Sequence, residues 1–317
     1  MPELPEVETI RRGLQECMPR EKAGRILKVT VLEPKSLIGD SGQILGALVT
    51  EFDRRGKALI IHLTDNQSLI IHLRMTGQLV FWDFSYYEEK SQRKESSNNF
   101  ESKSAVSDSK FDYDKMLNHT FGGGHPTDDL IDLPNKHTRV IIEFERGKLF
   151  FNDQRKFGFI KIVPTEEVGQ DAFIRKLAKE PWEMTGEELY EKLQRHKGSA
   201  VKSVILDQTV ICGLGNIYAD EALYYAEILP MRRAGSLSLM EAKKLVEGAR
   251  VVMERSLEAG GSTLKNYVKA DGTKGDYLTL FAEVFNRQGL PCRKCGEKII
   301  KTKVGGRGTH YCPKCQK

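Results

Sequence analysis

Residues 57–84, with the sequence KALIIHLTDNQSLIIHLRMTGQLVFWDF, decide the fold of the first half of the chain. They contain three short runs rich in aliphatic, β-branched and aromatic residues: KALIIHLT, SLIIHLRM and QLVFWDF. Turn-forming residues separate the runs, and each run is too short for a typical helix. The segment therefore predicts consecutive β-strands.

The same pattern continues on both sides of this segment. Before it stand ILKVTVLE and ALVTEFDRRG, and beyond residue 136 stand RVIIEFERG, KLFFNDQRKFG and FIKIVP. Short strands at this spacing predict an antiparallel sandwich or barrel. We therefore expect a β-rich N-terminal domain over residues 1–164.

A helix is predicted over residues 5–17, ahead of the strands. Val7, Ile10 and Leu14 recur at helical spacing. Pro5 suits the first helical position, where its missing N–H costs nothing. This helix would flank the sheets, so the predicted fold class is α+β.

Residues 83–136 form an insertion between the two groups of strands. Its first part, 83–118, has eight acids, six bases and eight serines, and almost no aliphatic residues. Such a composition buries little surface, so we expect a partly disordered surface segment. The stretch FGGGHPTDD at 121–129 follows no clear strand and opens no clear helix, so it is interpreted as surface rather than as a phosphate-binding loop.

Helical periodicity dominates from residue 166 onward. The helical segments are DAFIRKLAKE, TGEELYEKLQRH, SAVKSVILDQ, NIYADEALYYAEI and SLMEAKKLVEGARVVMERSLEAG. Residues 258–277 are then typical of a loop. We expect a helical domain over residues 165–280, a hinge near 164–180, and a small module over 281–317.

The composition is that of a globular chain outside membranes. The chain has 317 residues, enough for two domains, and 39% of them are hydrophobic. No apolar run reaches the roughly 18 residues of a membrane span. Acids at Glu3, Glu6 and Glu8 exclude a signal peptide. We therefore predict a cytoplasmic protein.

The positive charge is concentrated at the end of the chain. Residues 292–317 hold eight bases and one acid, a net charge of +7, whereas the whole chain carries only +5. A basic segment of this kind indicates a polyanionic partner.

Four cysteines in this basic segment have the spacing of a metal site. Cys292 and Cys295 form one C-x2-C pair, and Cys312 and Cys315 form a second. Four thiolates make a closed tetrahedral set for one structural Zn²⁺; two disulfides are the alternative, but nothing indicates an oxidising compartment. The residues between the pairs predict a β-hairpin whose VGGRG tip presents Arg307, a residue that suits a phosphate. The two other cysteines lack such a pattern and are predicted to be simply buried: Cys17 and Cys212.

The first ten residues, MPELPEVETI, place a small residue, Pro2, directly after the initiator methionine. Removal of Met1 would leave Pro2 with a free secondary amine. A terminal amine has a pKa near 8 rather than the roughly 10.4 of lysine, so about a tenth of it is neutral at pH 7. Such an amine can attack an aldehyde-like carbon and form an iminium ion, with Glu3 as a candidate acid. The plain alternative is a loop followed by a helix.

These segments together resemble the formamidopyrimidine-DNA glycosylase family of bacterial 8-oxoguanine repair enzymes. In chain order, the resemblance is carried by MPELPEVETIRRGL, RRGKALIIHL, HLRMTGQL, NKHTRVIIEF, NDQRKFGF, ILDQTVICGLGNIYADEALY and the four-cysteine finger. It spans nearly the whole chain apart from about 83–134. The sister family, endonuclease VIII, is less similar, because its opening is typically PEGPE rather than PELPE.

The resemblance implies a monomeric bifunctional enzyme on damaged double-stranded DNA, with a helix–two-turn–helix element and one structural zinc. It implies removal of oxidised purines, such as 8-oxoguanine and formamidopyrimidines, followed by β,δ-elimination at the abasic site. The resemblance assigns the attack on C1′ to Pro2 and proton donation to Glu3. It makes Lys57 a further donor near the sugar and phosphate, and it links the phosphate contact of Arg307 with δ-elimination.

The resemblance also implies a DNA-binding set. The family fills the space left by the flipped nucleotide with three side chains that match Met75, Arg155 and Phe157. Further DNA contacts of the family match His72, His137, Lys197 and Asn216. Asn216 opens a helix after CGLG, so we expect it to cap that helix and to direct N–H groups toward a phosphate. The GGSTLKNY segment matches a mobile loop that closes over the flipped base.

Three alternatives to the oxidised-purine glycosylase stay open. The first is the same chemistry with an endonuclease VIII-like preference for oxidised pyrimidines. The second is a catalytically inactive DNA-binding protein, which the presence of Pro2, Glu3 and Lys57 disfavours. The third is a tautomerase-like enzyme, which the finger disfavours. The insertion over 83–136 is interpreted as inert, with a contact to DNA or to a protein as the alternative.

Overall fold

The computed structural model describes residues 2–18, 23–84, 120–124, 133–261 and 277–317, with only the backbone described at 120–124 and at position 279. The elements of the N-terminal part are α1 (Leu4–Cys17), β1 (Ile26–Val31), β2 (Leu37–Ile38), β3 (Val49–Arg55), β4 (Ala58–Leu63), β5 (Gln67–His72), β6 (Gly77–Asp83), β7 (Thr120–Gly124), β8 (Thr138–Phe144), β9 (Gly147–Asp153) and β10 (Phe159–Pro164). Most of the insertion, and residues 262–276 of the loop predicted over 258–277, lie outside the described residues.

The strands form the predicted sandwich of two five-stranded sheets. The strand orders are β1-β8-β9-β6-β7 and β2-β10-β5-β4-β3. The pairs are antiparallel as predicted, except that the short β2 lies parallel to β10. Apolar side chains from both sheets share one core, as Leu59 and Ile71 of one sheet do with Leu79 and Phe151 of the other.

The chain crosses from one sheet to the other between β5 and β6. This turn contains Arg74, whose φ of 54° lies in the left-handed region. Part of the predicted insertion is regular structure, because β7 forms the outer strand beside β6. The turn after β5 and the strand β6 therefore connect the sandwich core to the edge where the insertion begins.

Helix α1 contributes to two separate cores. It begins at Leu4, one residue earlier than predicted, so Pro5 stands at the second helical position rather than the first. Leu4 packs into the core of the helical domain. Val7, Ile10 and Leu14 pack into the sandwich. The start of the chain is therefore fixed at the junction of the two domains.

The helical domain contains α2 (Gly186–Arg195), α3 (Val201–Ile205), α4 (Asn216–Tyr225), α5 (Leu239–Glu258) and the short α6 (Tyr277–Leu280). The predicted helix DAFIRKLAKE is wrong, because only a 3₁₀ turn forms at Ile174–Lys176. Tertiary hydrogen bonds hold this backbone in another path: the Ala178 N–H donates to Gln208 O at 2.9 Å, and the Lys179 carbonyl accepts from Cys212 N–H at 3.0 Å. These two bonds thus tie the linker, at residues 178 and 179, to residues 208 and 212 of the helical domain.

The last module is the predicted β-hairpin. Its strands are β11 (Ile300–Val304) and β12 (Arg307–Tyr311), with Gly305 and Gly306 between them. Cys212 is buried as predicted, whereas Cys17 is only half-buried, so that part of the prediction is wrong. No helix within the described ranges is long and apolar enough to cross a membrane.

Candidate active site

The four cysteines of the finger converge on one point. Their sulfur atoms all lie within 4.8 Å of one another, with Sγ–Sγ distances of 3.9 Å between Cys292 and Cys315 and 3.5 Å between Cys295 and Cys312. Zn–S bonds of about 2.3 Å in a tetrahedron place sulfurs about 3.8 Å apart. A disulfide needs about 2.05 Å, which excludes that alternative for these pairs. The donor set fits one structural zinc ion, as predicted.

The finger tip is joined to the helical domain by a buried charge network. Lys202 Nζ and Asp220 Oδ1 lie 2.7 Å apart, and both side chains are fully buried. Lys202 Nζ also donates to Gly308 O at 2.9 Å, and the His310 N–H donates to Asp220 Oδ2 at 2.8 Å. Because these contacts lie at Gly308 and His310, the network fixes the strand that begins at Arg307.

Glu3 brings the start of the chain to the first turn of α4. Its carboxylate accepts from the backbone N–H groups of Gly215 at 2.7 Å and Ile217 at 2.9 Å. These N–H groups have no partner inside the helix, and the helix dipole favours a negative charge there. Its own N–H donates to Glu6 Oε2 at 2.8 Å, which opens α1. One carboxylate thus joins α1 to α4.

Burial changes the acidity of this carboxyl group. It raises the pKa of Glu3 from 4.5 to about 7, while the positive charge of Lys57 and the N–H donors limit the rise. A carboxyl group with a pKa near 7 holds a proton about half of the time at neutral pH, which suits a proton donor.

The predicted capping role of Asn216 is wrong. Gly215 is the N-cap residue, and Asn216 is the first residue of α4. The N–H groups of this helix end bind Glu3 rather than facing a phosphate. Asn216 Nδ2 instead donates to Gly308 O at 2.9 Å, and its buried Oδ1 has no hydrogen-bond partner among the described residues. Asn216 therefore joins α4 to the finger tip.

Lys57 lies on the other side of Glu3, in the turn between β3 and β4. It is buried, and its Nζ donates to Leu214 O at 2.6 Å. Burial lowers the pKa of Lys57, and the neighbouring Glu3 opposes this effect. The turn needs a glycine at position 56, because φ is 57° there and a Cβ atom would lie 2.2 Å from Cys212 Sγ.

An ion pair across the domain boundary supports this turn. Arg54 donates to both carboxylate oxygens of Glu180, at 2.7 and 3.0 Å. Glu180 also accepts from the Gly56 N–H at 2.7 Å, and Arg54 Nε contacts Glu8 at 3.2 Å. The bidentate geometry and low exposure make this contact stronger than an ordinary surface pair. It holds the residue before Lys57 in place.

Glu3 and Lys57 line one cleft of about 410 Å³ between the two domains and the finger. The lining consists of Glu3, Lys57, Met75, Leu206, Gly215, Asn216, Ile217, Phe285, Gly306, Arg307 and Gly308. Pro2 directly precedes Glu3 and is buried. Predicted residues from the first turn of the chain, the β3–β4 turn and the finger tip thus meet at one place.

The three predicted wedge residues lie on two neighbouring loops. Met75 follows β5 and is half-buried, whereas Arg155 and Phe157 follow β9 and are exposed. The exposed fraction of Phe157 is 56%, which is high for a large apolar side chain. The Arg155 guanidinium lies over the Phe157 ring at 4.9 Å. The exposure of this ring favours a binding surface over the plain alternative of a core residue.

The other predicted DNA contacts have different surroundings. His72 is buried, and burial together with Arg74 and Lys57 lowers its pKa to about 3, so it is neutral at pH 7. Its Nδ1 accepts from Arg74 N–H at 3.0 Å. His137 is half-buried, and Lys197 is exposed in the loop after α2. Their contacts with DNA stay predictions.

Sequence reasoning missed the residues that hold the site together. They are Arg54, Glu180, Lys202, Asp220 and Glu221. The Glu221 carboxylate accepts backbone N–H groups at 283, 284 and 285, next to the cleft residue Phe285. The sequence does contain one indication of this network, since Lys202 stands among the apolar residues of SAVKSVI. A charged residue on a buried helical face indicates a buried partner.

The fold and the cleft together have the features of an enzyme that acts on nucleic acid. A buried acid and a buried lysine face a basic zinc finger across an interdomain cleft, and an exposed aromatic–arginine pair stands nearby. Basic fingers and exposed stacking residues are typical of nucleic-acid enzymes.

Comparison with known proteins specifies the family. Residues 1–160 match the formamidopyrimidine-DNA glycosylase N-terminal domain, residues 177–268 match the H2TH domain of the same enzymes, and residues 289–317 match the zinc finger found in FPG and IleRS. The chain therefore belongs to the formamidopyrimidine-DNA glycosylase family and is a base-excision repair glycosylase.

Individual relatives are similar over their full length. The formamidopyrimidine-DNA glycosylase of Pelotomaculum thermopropionicum is 37% identical, over 100% of this chain and 99% of the relative. The solved MutM (Fpg) protein of Thermus thermophilus is 31% identical with a TM-score of 0.75, over 99% of this chain and 98% of that chain. The Lactococcus lactis Fpg, solved in complex with DNA containing an abasic site, is 27% identical with a TM-score of 0.77 over 100% of both chains.

Proposed function

We propose that this glycosylase excises oxidised purines from duplex DNA through a covalent bond to Pro2 and then cleaves the abasic strand. The observation that carries the proposal is the single cleft that contains Glu3, Lys57 and Arg307, which come from distant parts of the chain. The names of the relatives support the formamidopyrimidine substrate, since all those given above are formamidopyrimidine-DNA glycosylases or Fpg proteins.

The first chemical step uses the amine of Pro2 after Met1 has been removed. The nitrogen attacks C1′, the C1′–base bond breaks, and the base leaves with its electron pair and takes up a proton. Glu3 is the donor that supports this step best, because it directly follows Pro2 and has a pKa of about 7. The attached nitrogen then loses its proton, and the C1′–O4′ bond of the sugar breaks as O4′ leaves with its electron pair and takes up a proton. The nitrogen lone pair forms the C=N bond of an iminium ion, which serves as an electron sink.

Strand cleavage follows from the iminium ion. It acidifies the C2′ protons, so loss of one proton expels the 3′ phosphate, and a second elimination expels the 5′ phosphate. Each leaving phosphate gains negative charge that nearby cations stabilise. Arg307 lines the cleft and is exposed, so it is the proposed phosphate ligand, with Lys57 as a further proton donor near the sugar.

The target nucleotide has to leave the helix before C1′ can be reached. We assign Met75, Arg155 and Phe157 to the space that the nucleotide leaves. Phe157 is exposed enough to stack on a base pair, and a guanidinium can donate to the edge of the unpaired base.

A Lactococcus lactis Fpg has been solved with DNA containing N7-benzyl-Fapy-dG, which supports a modified purine as the substrate. We further propose that the protein acts as a monomer on the bacterial chromosome in the cytoplasm.

Borohydride trapping tests this proposal. The protein is incubated with duplex DNA that contains 8-oxoguanine opposite cytosine, and the reduced adduct is sequenced. We expect a covalent adduct on Pro2, and none with a protein that retains Met1. No adduct, or attachment at another residue, would contradict the mechanism. Faster reaction with a duplex containing an oxidised pyrimidine would contradict the substrate class.

A further inference from the structure

Asp153, the last residue of β9, is the centre of a hydrogen-bond cluster beneath the wedge residues. Its side chain is fully buried. Oδ2 accepts from the N–H groups of Phe157 at 2.8 Å and Gly158 at 2.7 Å, and Oδ1 accepts from the Arg155 N–H at 3.1 Å. A buried carboxylate with this many donors fixes the path of a short loop, because an unpaired buried donor is costly. Asp153 therefore sets the shape of the loop that carries Arg155 and Phe157.

Thr76 joins the second loop to the same carboxylate. Its hydroxyl donates to Asp153 Oδ1 in a short hydrogen bond and accepts from the Arg155 N–H at 3.1 Å. Thr76 directly follows Met75, in the turn where the chain passes from one sheet to the other. The backbone continues the connection, because Gly77 and Asp153 are paired residues of β6 and β9. One hydroxyl therefore connects the Met75 turn to the Arg155 loop.

The cluster also reaches the predicted contact His137. The Asp153 N–H donates to His137 O at 2.9 Å, and Arg139 Nε donates to Asp153 O at 2.7 Å. The backbone of Asp153 thus has partners at His137 and Arg139, in addition to the loop partners of its side chain. Such a satisfied and buried network is rigid.

We propose that Thr76 and Asp153 are positioning residues that hold Met75, Arg155 and Phe157 as one rigid unit during nucleotide flipping. The proposal rests on the proposed function, because it takes these three residues as the wedge. Neither positioning residue touches the substrate in this role. Their effect is to remove independent motion of the two loops, so that filling the vacated space requires one ordering event rather than two.

The sharpest test uses T76V, which keeps the shape of the side chain but removes the hydroxyl. The Arg155 N–H then still has Asp153 Oδ1 as an acceptor, so the main loss is the hydrogen bond from Thr76 to the carboxylate. We expect T76V to lower kcat/KM on the 8-oxoguanine duplex by about tenfold, the effect of losing one well-placed hydrogen bond to a charged group. Cleavage of a duplex with a preformed abasic site should change less than about twofold, because no base has to be extruded. The conservative variant T76S keeps the hydroxyl and should restore most of the wild-type rate.

A matched control is available at the other end of β5. The Thr64 hydroxyl accepts from the Leu48 N–H at 2.9 Å in the turn after β4, so T64V also loses one turn hydrogen bond. T64V should react like the wild type on both duplexes. Thermal unfolding of T76V and T64V shows whether a difference in activity follows from a difference in stability.

A double-mutant cycle measures the rigid unit directly. In the wild-type background, the combined rate loss of M75A and F157A should be smaller than the product of the two single losses, because the residues act together. In the T76V background the two losses should multiply. Coupling that is the same in both backgrounds, or a T76V rate equal to that of the wild type, would overturn the inference. A wild-type protein that reacts with neither duplex would instead contradict the proposed function.

Discussion

The carboxylate of Glu3 lies 2.7 Å from the backbone nitrogen of Gly215, at the first turn of α4. This contact joins the start of the chain to the helical domain. It requires a glycine, since a Cβ atom at position 215 would lie 2.2 Å from Glu3 Cδ. The position of the proposed proton donor is therefore set by a residue more than two hundred positions away in the sequence.

The substitution G215A should displace the Glu3 carboxylate. We expect kcat for base removal to fall by about a hundredfold, because misplacement of a catalytic group by about 1 Å has an effect of that size. The measurement is single-turnover cleavage of the 8-oxoguanine duplex. G169A is the control, because Gly169 is exposed and has no atom within 4 Å of an added Cβ. Equal rates for G215A and the wild type would show that Glu3 tolerates displacement.

The pH dependence of base removal should follow the proton on Glu3. With a pKa of about 7, the donor form of Glu3 is depleted as pH rises through 7, while the neutral form of the Pro2 amine increases up to its pKa near 8. The two changes offset each other between these values, so the rate should fall about tenfold per pH unit above about pH 8. In E3Q the fall in rate at high pH, the alkaline limb of the profile, should disappear. The rate of base removal should also be about two orders of magnitude below that of the wild type. The measurement is a pH–rate profile of single-turnover base removal. If the fall in rate at high pH persists in E3Q, it belongs to another group, such as Lys57, whose charge acts on Glu3.

Zinc should be required for DNA affinity but not for folding of the sandwich. C292S removes one of the four thiolates, so we expect loss of bound zinc and a fall of at least about tenfold in affinity for duplex DNA at moderate salt. Metal analysis and fluorescence anisotropy measure the two effects. C17S is the control, because Cys17 lies at the end of α1 and packs against the sandwich core. Unchanged affinity in C292S would remove the finger from the DNA-binding surface.

The buried Lys202–Asp220 pair should matter more for stability than an exposed pair. K202M leaves Asp220 as an uncompensated buried charge, so the free energy of unfolding should fall by about 3 kcal/mol. K243M is the comparison: Lys243 and Glu187 also lie 2.7 Å apart, but their side chains are 47% and 55% exposed. Its effect should stay below about 1 kcal/mol. Denaturant unfolding of both variants measures the two free energies of unfolding. Similar decreases in K202M and K243M would mean that burial does not determine the strength of these pairs.

The sequence predicted those parts of the molecule whose signal is local. The spacing of Cys292, Cys295, Cys312 and Cys315 predicts the zinc site, because a closed ligand set depends on two short loops. The runs over 57–84 predict the strands, because alternation and turn residues act over a few positions. The chemistry of a terminal amine made Pro2 a candidate nucleophile with Glu3 as its acid. The wedge residues came from resemblance, since one phenylalanine or one methionine has no distinctive pattern of its own.

The missed features depend on contacts between distant segments. Residues 171–180 have helical periodicity, yet only a 3₁₀ turn forms at Ile174–Lys176, and hydrogen bonds to residues 208 and 212 hold residues 178 and 179 outside a helix. Asn216 has the sequence of a helix cap, but the carboxylate of Glu3 binds that helix end. In both cases a partner far along the chain satisfies the backbone in place of the local one.

The hairpin of β6 and β7 has a consequence for how this protein tolerates change in length. Trp82 and Thr120 are paired residues of the two strands, so the chain leaves the sheet and returns to it at almost the same point. A connection that closes on itself can grow or shrink at a cost of only about 0.6 kcal/mol for each doubling of its length. We therefore expect this edge of the sheet to accept an inserted domain. A fluorescent reporter or an affinity module in place of residues 85–119 should leave the pairing of β6 with β7 intact.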